Sequence, residues 1–208
     1  MVDFEQIERA NVFTFGLNKI NLLFKQSSFR PSCIVAVNPF VIEQNSDFYN
    51  QTDLPLFVDY QGFKRRWIKP RRTVHFFPSI VPIAHFSGIV TRGVNQGYTV
   101  TYVALQIAYY MGFRDVALVG CDHSFATKGP ANLTVTSDES DPNHFDSRYF
   151  SGGVKWQLPD LVGSEFHYQI ADIAYRQVGG RIVNATEGGK LEIFERESLG
   201  NFLFKNNE

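Results

Sequence analysis

The sequence predicts an α/β fold, a single Rossmann-like domain with a mostly parallel, doubly wound sheet. Strand-like and helix-like segments alternate along nearly the whole chain, the pattern that βαβ units require. The block Gly97–Phe125 joins an amphipathic helix to the apolar run Val116-Ala117-Leu118-Val119, the mark of a strand buried on both faces. That run ends in Gly120-Cys121-Asp122-His123, small residues followed by groups able to do chemistry. The carboxyl edge of an open parallel sheet is where such folds place their ligands.

Taken in order, the first strand is read at Val12–Phe15 and is followed by a helical segment, Lys19–Lys25. Cys33–Val37 is an unbroken apolar run closed by Asn38-Pro39, after which Phe40–Tyr49 reads as helix. Leu56–Val58 and Val74–Phe77 are the next strands. Val100, Val103, Ala104, Ile107, Ala108 and Met111 recur at helical spacing, and Gly112 stands where a helix should stop. Arg114-Asp115 makes a charged turn before the strand Val116–Val119. A long helix is expected at Gly163–Val178, a strand at Arg181–Asn184 and a last helix at Glu197–Phe204. Ser124–Asp160 has no regular pattern and leaves the sheet just past Asp122, so it is expected to form a lid or mobile loop.

The 208 residues fit one domain, 1–208, with a substantial core. Hydrophobic residues at 44% and charged ones at 20% are ordinary for a globular chain, and the twenty phenylalanines read as core filling. A net charge of −1 argues against a nucleic-acid-binding surface. Lys64-Arg65-Arg66, Lys69 and Arg71-Arg72, with Trp67 among them, could hold an anion, but such a run more often marks an exposed connection. Cys33 and Cys121 sit in apolar runs and read as buried free thiols. No apolar run approaches the roughly 18 residues of a membrane span, and the residues after Met1 are acidic rather than basic. A cytoplasmic protein is expected.

The candidate site begins with the strand-end residues. Asp122 could ligate a metal and His123 stands beside it, yet adjacent residues on an extended segment point opposite ways and would not share one ion. Asn18 and Asn38 end successive strands. A neutral amide both donates to phosphate or ribose oxygens and accepts from base or hydroxyl groups, and it equally closes a turn on local backbone. His144 could deprotonate a hydroxyl. Arg148 stays protonated and could clamp phosphate or carboxylate. Equally, both could be plain loop residues. Asn184–Lys190 reads as a turn bringing Lys190 toward the sheet edge.

Three blocks carry a resemblance: Asn11–Asn45, with its strand-end asparagines, Gly97–His123, and Asp141–Phe150 (DPNHFDSRYF) with the later Asn184–Lys190 turn. Together they resemble the MptE-like (DUF115) proteins and, through them, the bacterial family-42 sialyltransferases. The resemblance implies a glycosyltransferase-A-type Rossmann-like domain that binds a cytidine nucleotide sugar at its strand ends. It implies that Asn18 and Asn38 hold the donor, with Asp122, His123 and Arg148 at the same site. His144 falls in the block where those enzymes keep their general base, although an alternative register puts Arg148 there. The expected function is a sialyltransferase-like glycosyltransferase of surface polysaccharide synthesis, with no cofactor.

The MptE-like enzymes instead transfer diphosphate from ATP to a pterin alcohol, which would call for Mg2+. A non-catalytic nucleotide-binding or assembly module is the third expectation, because the G-x-G-P-S turn of both families has no counterpart here. The sialyltransferases also supply lid tyrosines to the phosphate, and the nearest candidates here are Tyr149 and Tyr168. The family's first strand is expected to be lacking, and the bared sheet edge would then favour a homo-oligomer.

Overall fold

The computed structural model describes residues 2–80, 84–124, 129–137, 149 and 153–204. The chain opens with α1 (Phe4–Ala10), capped by the Asp3 carboxylate, which accepts the Gln6 N–H at 2.9 Å. β1 (Phe15–Leu17) and a 3-10 turn (Ile20–Lys25) lead to β2 (Cys33–Ala36), whose residues are all buried. α2 (Pro39–Gln44) and α3 (Ser46–Gln51) follow, then β3 (Leu56–Asp59), α4 (Gln61–Lys64) and β4 (Val74–Phe77). β5 (Ser79–Ile80) and β6 (Val94–Asn95) form a short pair ahead of α5 (Val100–Tyr110), and Gly112 sits at a φ of 95° just past that helix. β7 (Asp115–Leu118), β8 (Thr134–Thr136), β9 (Lys155–Gln157), α6 (Leu161–Arg176), β10 (Arg181–Asn184), β11 (Glu195–Arg196) and α7 (Leu199–Phe204) complete the chain.

The class is α/β with mostly parallel strands. β1-β2-β3-β4 lie side by side in that order, all parallel, and β7-β10-β11 make a second parallel sheet. The expected single sheet is therefore two: no ladder joins β1 to β7 among the described residues. The helix expected at Phe40–Tyr49 breaks at Asn45 into α2 and α3. Within Ser124–Asp160, β8 and β9 pair as an antiparallel hairpin. The α1 segment, the short strands β5, β6 and β11, and α4 carry too few periodic residues to be read from sequence. Among the described residues no helix is long and apolar enough to cross a membrane.

Alternation along the central strands sorts the core into layers. Ile34 and Ala36 of β2 face Ile42 and Tyr49 of the α2–α3 layer, while Val35 and the following Val37 face Val103 and Ile107 of α5. Each large side chain so buried contributes about 1.5–3 kcal/mol. α5 serves both sheets at once: its Tyr102 and Leu105 pack with Leu118, Tyr168, Tyr175 and Ile182 around the second sheet. The single apolar stripe read from the sequence is therefore incomplete. Residues 101–108 are buried all round, whereas Met111 is exposed. In the basic run, Arg71 donates from Nη2 to the carbonyls of Tyr49 and Thr52 and holds the end of α3.

Both thiols are free. Burial pushes Cys33 up to about 12 and Cys121 up to about 11, from an ordinary value of 9.0. Unfolded thiols ionise near 9 while the folded ones keep their protons, so the unfolded state releases protons first and stability falls as pH rises. The buried hydroxyls of Tyr49, Tyr102, Tyr168 and Tyr175 are raised by the same cause and add to the loss from pH 10 upward. Melting temperature is expected to hold to pH 8.5 and to drop between pH 9 and 11. The double variant Cys33→Ala, Cys121→Ala should show a shallower drop over that window; an unchanged slope would remove the thiols from the account.

Candidate functional site

The carboxyl ends of β1, β2, β6, β7 and β10 open on one cleft of about 2320 Å³. Four of the sequence-derived site residues, Asn18, Asn38, Asp122 and His123, line it together. His144 and Arg148 lie outside the described residues. Tyr149 and Tyr168, the two nearest tyrosine candidates, are both buried and both border the cleft.

Asn18 ends β1 in the left-handed region, φ 48°. Its N–H donates to the Val35 carbonyl at 2.9 Å and its carbonyl accepts the Tyr49 hydroxyl at 2.9 Å, so Asn18 enters both bonds through its backbone groups and not its side chain. The side-chain Oδ1 is buried and accepts no hydrogen bond from the described residues. A buried amide oxygen left unmade costs about 1–3 kcal/mol and is the kind of group a ligand donor would satisfy. Asn38 differs. Its Oδ1 accepts the Phe40 N–H at 2.9 Å as the cap of α2, and its Nδ2 donates to Gln157 Oε1 at 3.1 Å. The turn-closing use therefore describes Asn38, and an open amide describes Asn18.

The β8–β9 hairpin docks over this corner. Gln44 Nε2 donates to the Lys155 carbonyl at 2.9 Å, and Trp156 and Leu158 bury against Val41 and Tyr149. Lys19, itself buried, donates from Nζ to Gln44 Oε1 at 2.9 Å and to the Tyr149 carbonyl at 2.7 Å. Lys19 follows Asn18 directly and was not picked out from the sequence, where it read as a helix residue.

On the opposite wall, His123 also takes a left-handed conformation, φ 52°, and places Nε2 2.9 Å from Glu165 Oε1 of α6. With Nε2–H donating to the carboxylate, Nδ1 is left as the acceptor nitrogen. Glu165 lies 42 residues further on, so only the tertiary fold pairs it with His123. Tyr98 and Asn132 are further left-handed residues of the lining, φ 61° and φ 62°. Such backbone costs about 1 kcal/mol or more at a bulky residue and clusters where function requires it. Gly97, just before Tyr98 and at φ 55°, donates its N–H to Asn95 Oδ1 at 2.9 Å; a Cβ there would run into the Tyr102 ring and stand 3.0 Å from His167 Cβ. α5 opens directly onto the cleft with its Thr99 cap, presenting the positive end of its dipole.

The turn after β10 packs against the tip of β7. Thr186 Oγ1 accepts the Cys121 N–H at 3.0 Å, and Lys190 N–H donates to the Asp122 carbonyl at 2.8 Å. Gly189 approaches so closely that a Cβ would stand 3.0 Å from the Asp122 carbonyl oxygen. The Arg196 guanidinium donates to the carbonyls of Thr186 and Gly188 and fixes the turn. The raised Cys121 thiol is not a thiolate nucleophile. Among the described residues no three His, Cys, Asp or Glu side chains group as metal ligands. Compared with protein-family models, curated proteins and solved structures, the chain matches none.

Proposed function

We propose that the chain binds a nucleotide at the strand-end mouth of the cleft and uses a cytidine nucleotide sugar as a glycosyl donor. The carrying observation is the unpartnered, buried Oδ1 of Asn18 on the same cleft that His123 lines, the imidazole Nε2 lying 2.9 Å from Glu165 Oε1. An orphaned acceptor asks for a donor, and a ribose hydroxyl or a cytosine amino group supplies one. The phosphates lie toward the amino end of α5, where N–H groups and the dipole favour negative charge. The resemblance to the family-42 sialyltransferases and the MptE-like proteins supports this reading.

In the transfer, an acceptor hydroxyl gives its proton to Nδ1 of His123 as its oxygen bonds to the anomeric carbon. The bond from that carbon to the nucleotide phosphate breaks, and the nucleotide leaves with the electron pair. The resemblance implies His144 as the base in place of His123, with Arg148 as a phosphate clamp, and the variants His123→Ala and His144→Ala separate the two. Asn38, already capping α2, would border the donor rather than hold it.

Thermal melts with CMP, CDP, ATP and GTP test the reading, because a ligand that binds only the native state raises stability. CMP or CDP should give the largest rise. Asn18→Gly, which keeps the left-handed turn while removing the amide, should lose most of that rise. A preference for ATP that depends on Mg2+ would favour diphosphate transfer to a pterin-like alcohol. No rise with any nucleotide would overturn the reading.

A further inference from the structure

Below the mouth of the cleft runs a slot between the two parallel sheets, and its walls are two bare strand edges. In β1, the Thr14 carbonyl accepts from Cys33 N–H and Asn18 N–H donates to the Val35 carbonyl. Strand alternation therefore turns the N–H and C=O groups of Phe15 and Leu17 to the other edge. In β7, the carbonyls of Arg114 and Leu118 accept from Arg181 and Ala185, which turns the backbone groups of Asp115, Ala117 and Val119 away from β10. β1 and β7 are each the outermost strand of their sheet, and both edges line the same cleft. No hydrogen bond from the described residues takes up these backbone groups. Apart from the exposed Asp115, these residues are half-buried along the cleft, and main-chain groups of folded proteins are as a rule paired.

The slot has the shape of a strand. At the amino ends of β1 and β7 it is closed by aromatic contact, the Phe113 ring centroid standing 5.1 Å from Phe13 and 6.0 Å from Phe15. On one face lies α5, which reaches the first sheet with Val103 and Ile107 and the second with Leu105, and presents the small Ala104 and Ala108 to the gap between. On the other face, α1 and α7 supply Phe4, Ile7 and Phe202. A segment fitting there would be apolar on both sides, as strands of covered parallel sheets are. Because an extended chain turns its polar groups to alternate sides, a single strand can satisfy both walls.

We propose that this slot seats one extended apolar strand of about five residues, parallel to β1 and β7 and leading directly into α1 at Val2. The chain path argues for that source. Val2 and Asp3 line the cleft, and α1 starts there and returns the chain to β1. A strand entering α1 makes a β–α–β unit with β1, the connection that parallel neighbours need. A second copy or a separate peptide would have to thread the slot without that tether.

The test compares three proteins: the 208-residue chain, the chain with an Ile-Val-Ile-Val-Ile strand and a Gly-Ser-Gly turn fused ahead of Met1, and a fusion of equal length made only of Gly and Ser. The apolar fusion should slow amide exchange at Phe15, Leu17 and Ala117 by tenfold or more and raise the melting temperature. The Gly-Ser fusion should do neither. Leu17→Pro and Ala117→Pro remove slot-facing N–H groups while sparing the ladders to β2 and β10, and each should cancel the gain. Equal protection from both fusions, or amides already protected in the monomeric 208-residue chain, would overturn the proposal. Protection that appears only as the chain dimerises, or only with the strand added as a free peptide, would overturn the assigned source.

Discussion

His123→Ala is expected to lower the turnover of a cytidine nucleotide sugar by about 10²–10⁴-fold, the range for losing a positioned general base. Hydrolysis of CMP-linked sialic acid, with water as the acceptor, gives a readout that needs no knowledge of the natural acceptor. Donor affinity, read as the thermal shift with CMP, should change little, because the imidazole acts on the acceptor proton. Glu165→Gln should give a smaller loss, since an amide still accepts from Nε2–H at the 2.9 Å separation but no longer stabilises the charged ring. His144→Ala is the companion variant. If it abolishes turnover while His123→Ala leaves it intact, the base is His144 and the His123–Glu165 pair only braces the wall of the cleft.

Gln106→Leu is expected to destabilise the fold by about 3–5 kcal/mol, a large share of the stability of a domain this size. Gln106 is completely buried in the middle of α5. Its Oε1 accepts the N–H groups of Ser87 and Asn95, each at 3.1 Å, and its Nε2 donates to the Asn95 carbonyl at 2.7 Å. Leucine fills the volume and satisfies none of them, stranding three buried backbone groups at about 1–3 kcal/mol apiece before relaxation. Urea titration checks this through the midpoint at constant slope. The CMP-induced rise should shrink as well, because Asn95 also holds the Gly97 turn at the mouth of the cleft. A midpoint within experimental error of the parent chain would show that the network relaxes without cost.

The strands from Cys33 to Phe77, α5, β7, α6 and β10 were legible because each is a run long enough for its period to show, and burial on one or both faces dictates that period. The same logic marked Asn18, Asn38, Asp122 and His123, since polar residues closing apolar strands must fall at one sheet edge. Gln106 was illegible for the opposite reason. A lone polar residue inside a helix reads as a surface position until the fold surrounds it with backbone groups in need of partners.

Thus the sequence by itself determined the α/β class, the order of its principal strands and which residues would meet at their carboxyl ends. The tertiary structure alone decided that the strands divide between two sheets, that Asn38 is spent on a helix cap while the Asn18 oxygen stays open, and that His123 finds Glu165. Hydrophobic periodicity is a property of neighbours along the chain. Hydrogen-bond satisfaction depends on groups that only folding brings within 3 Å of one another.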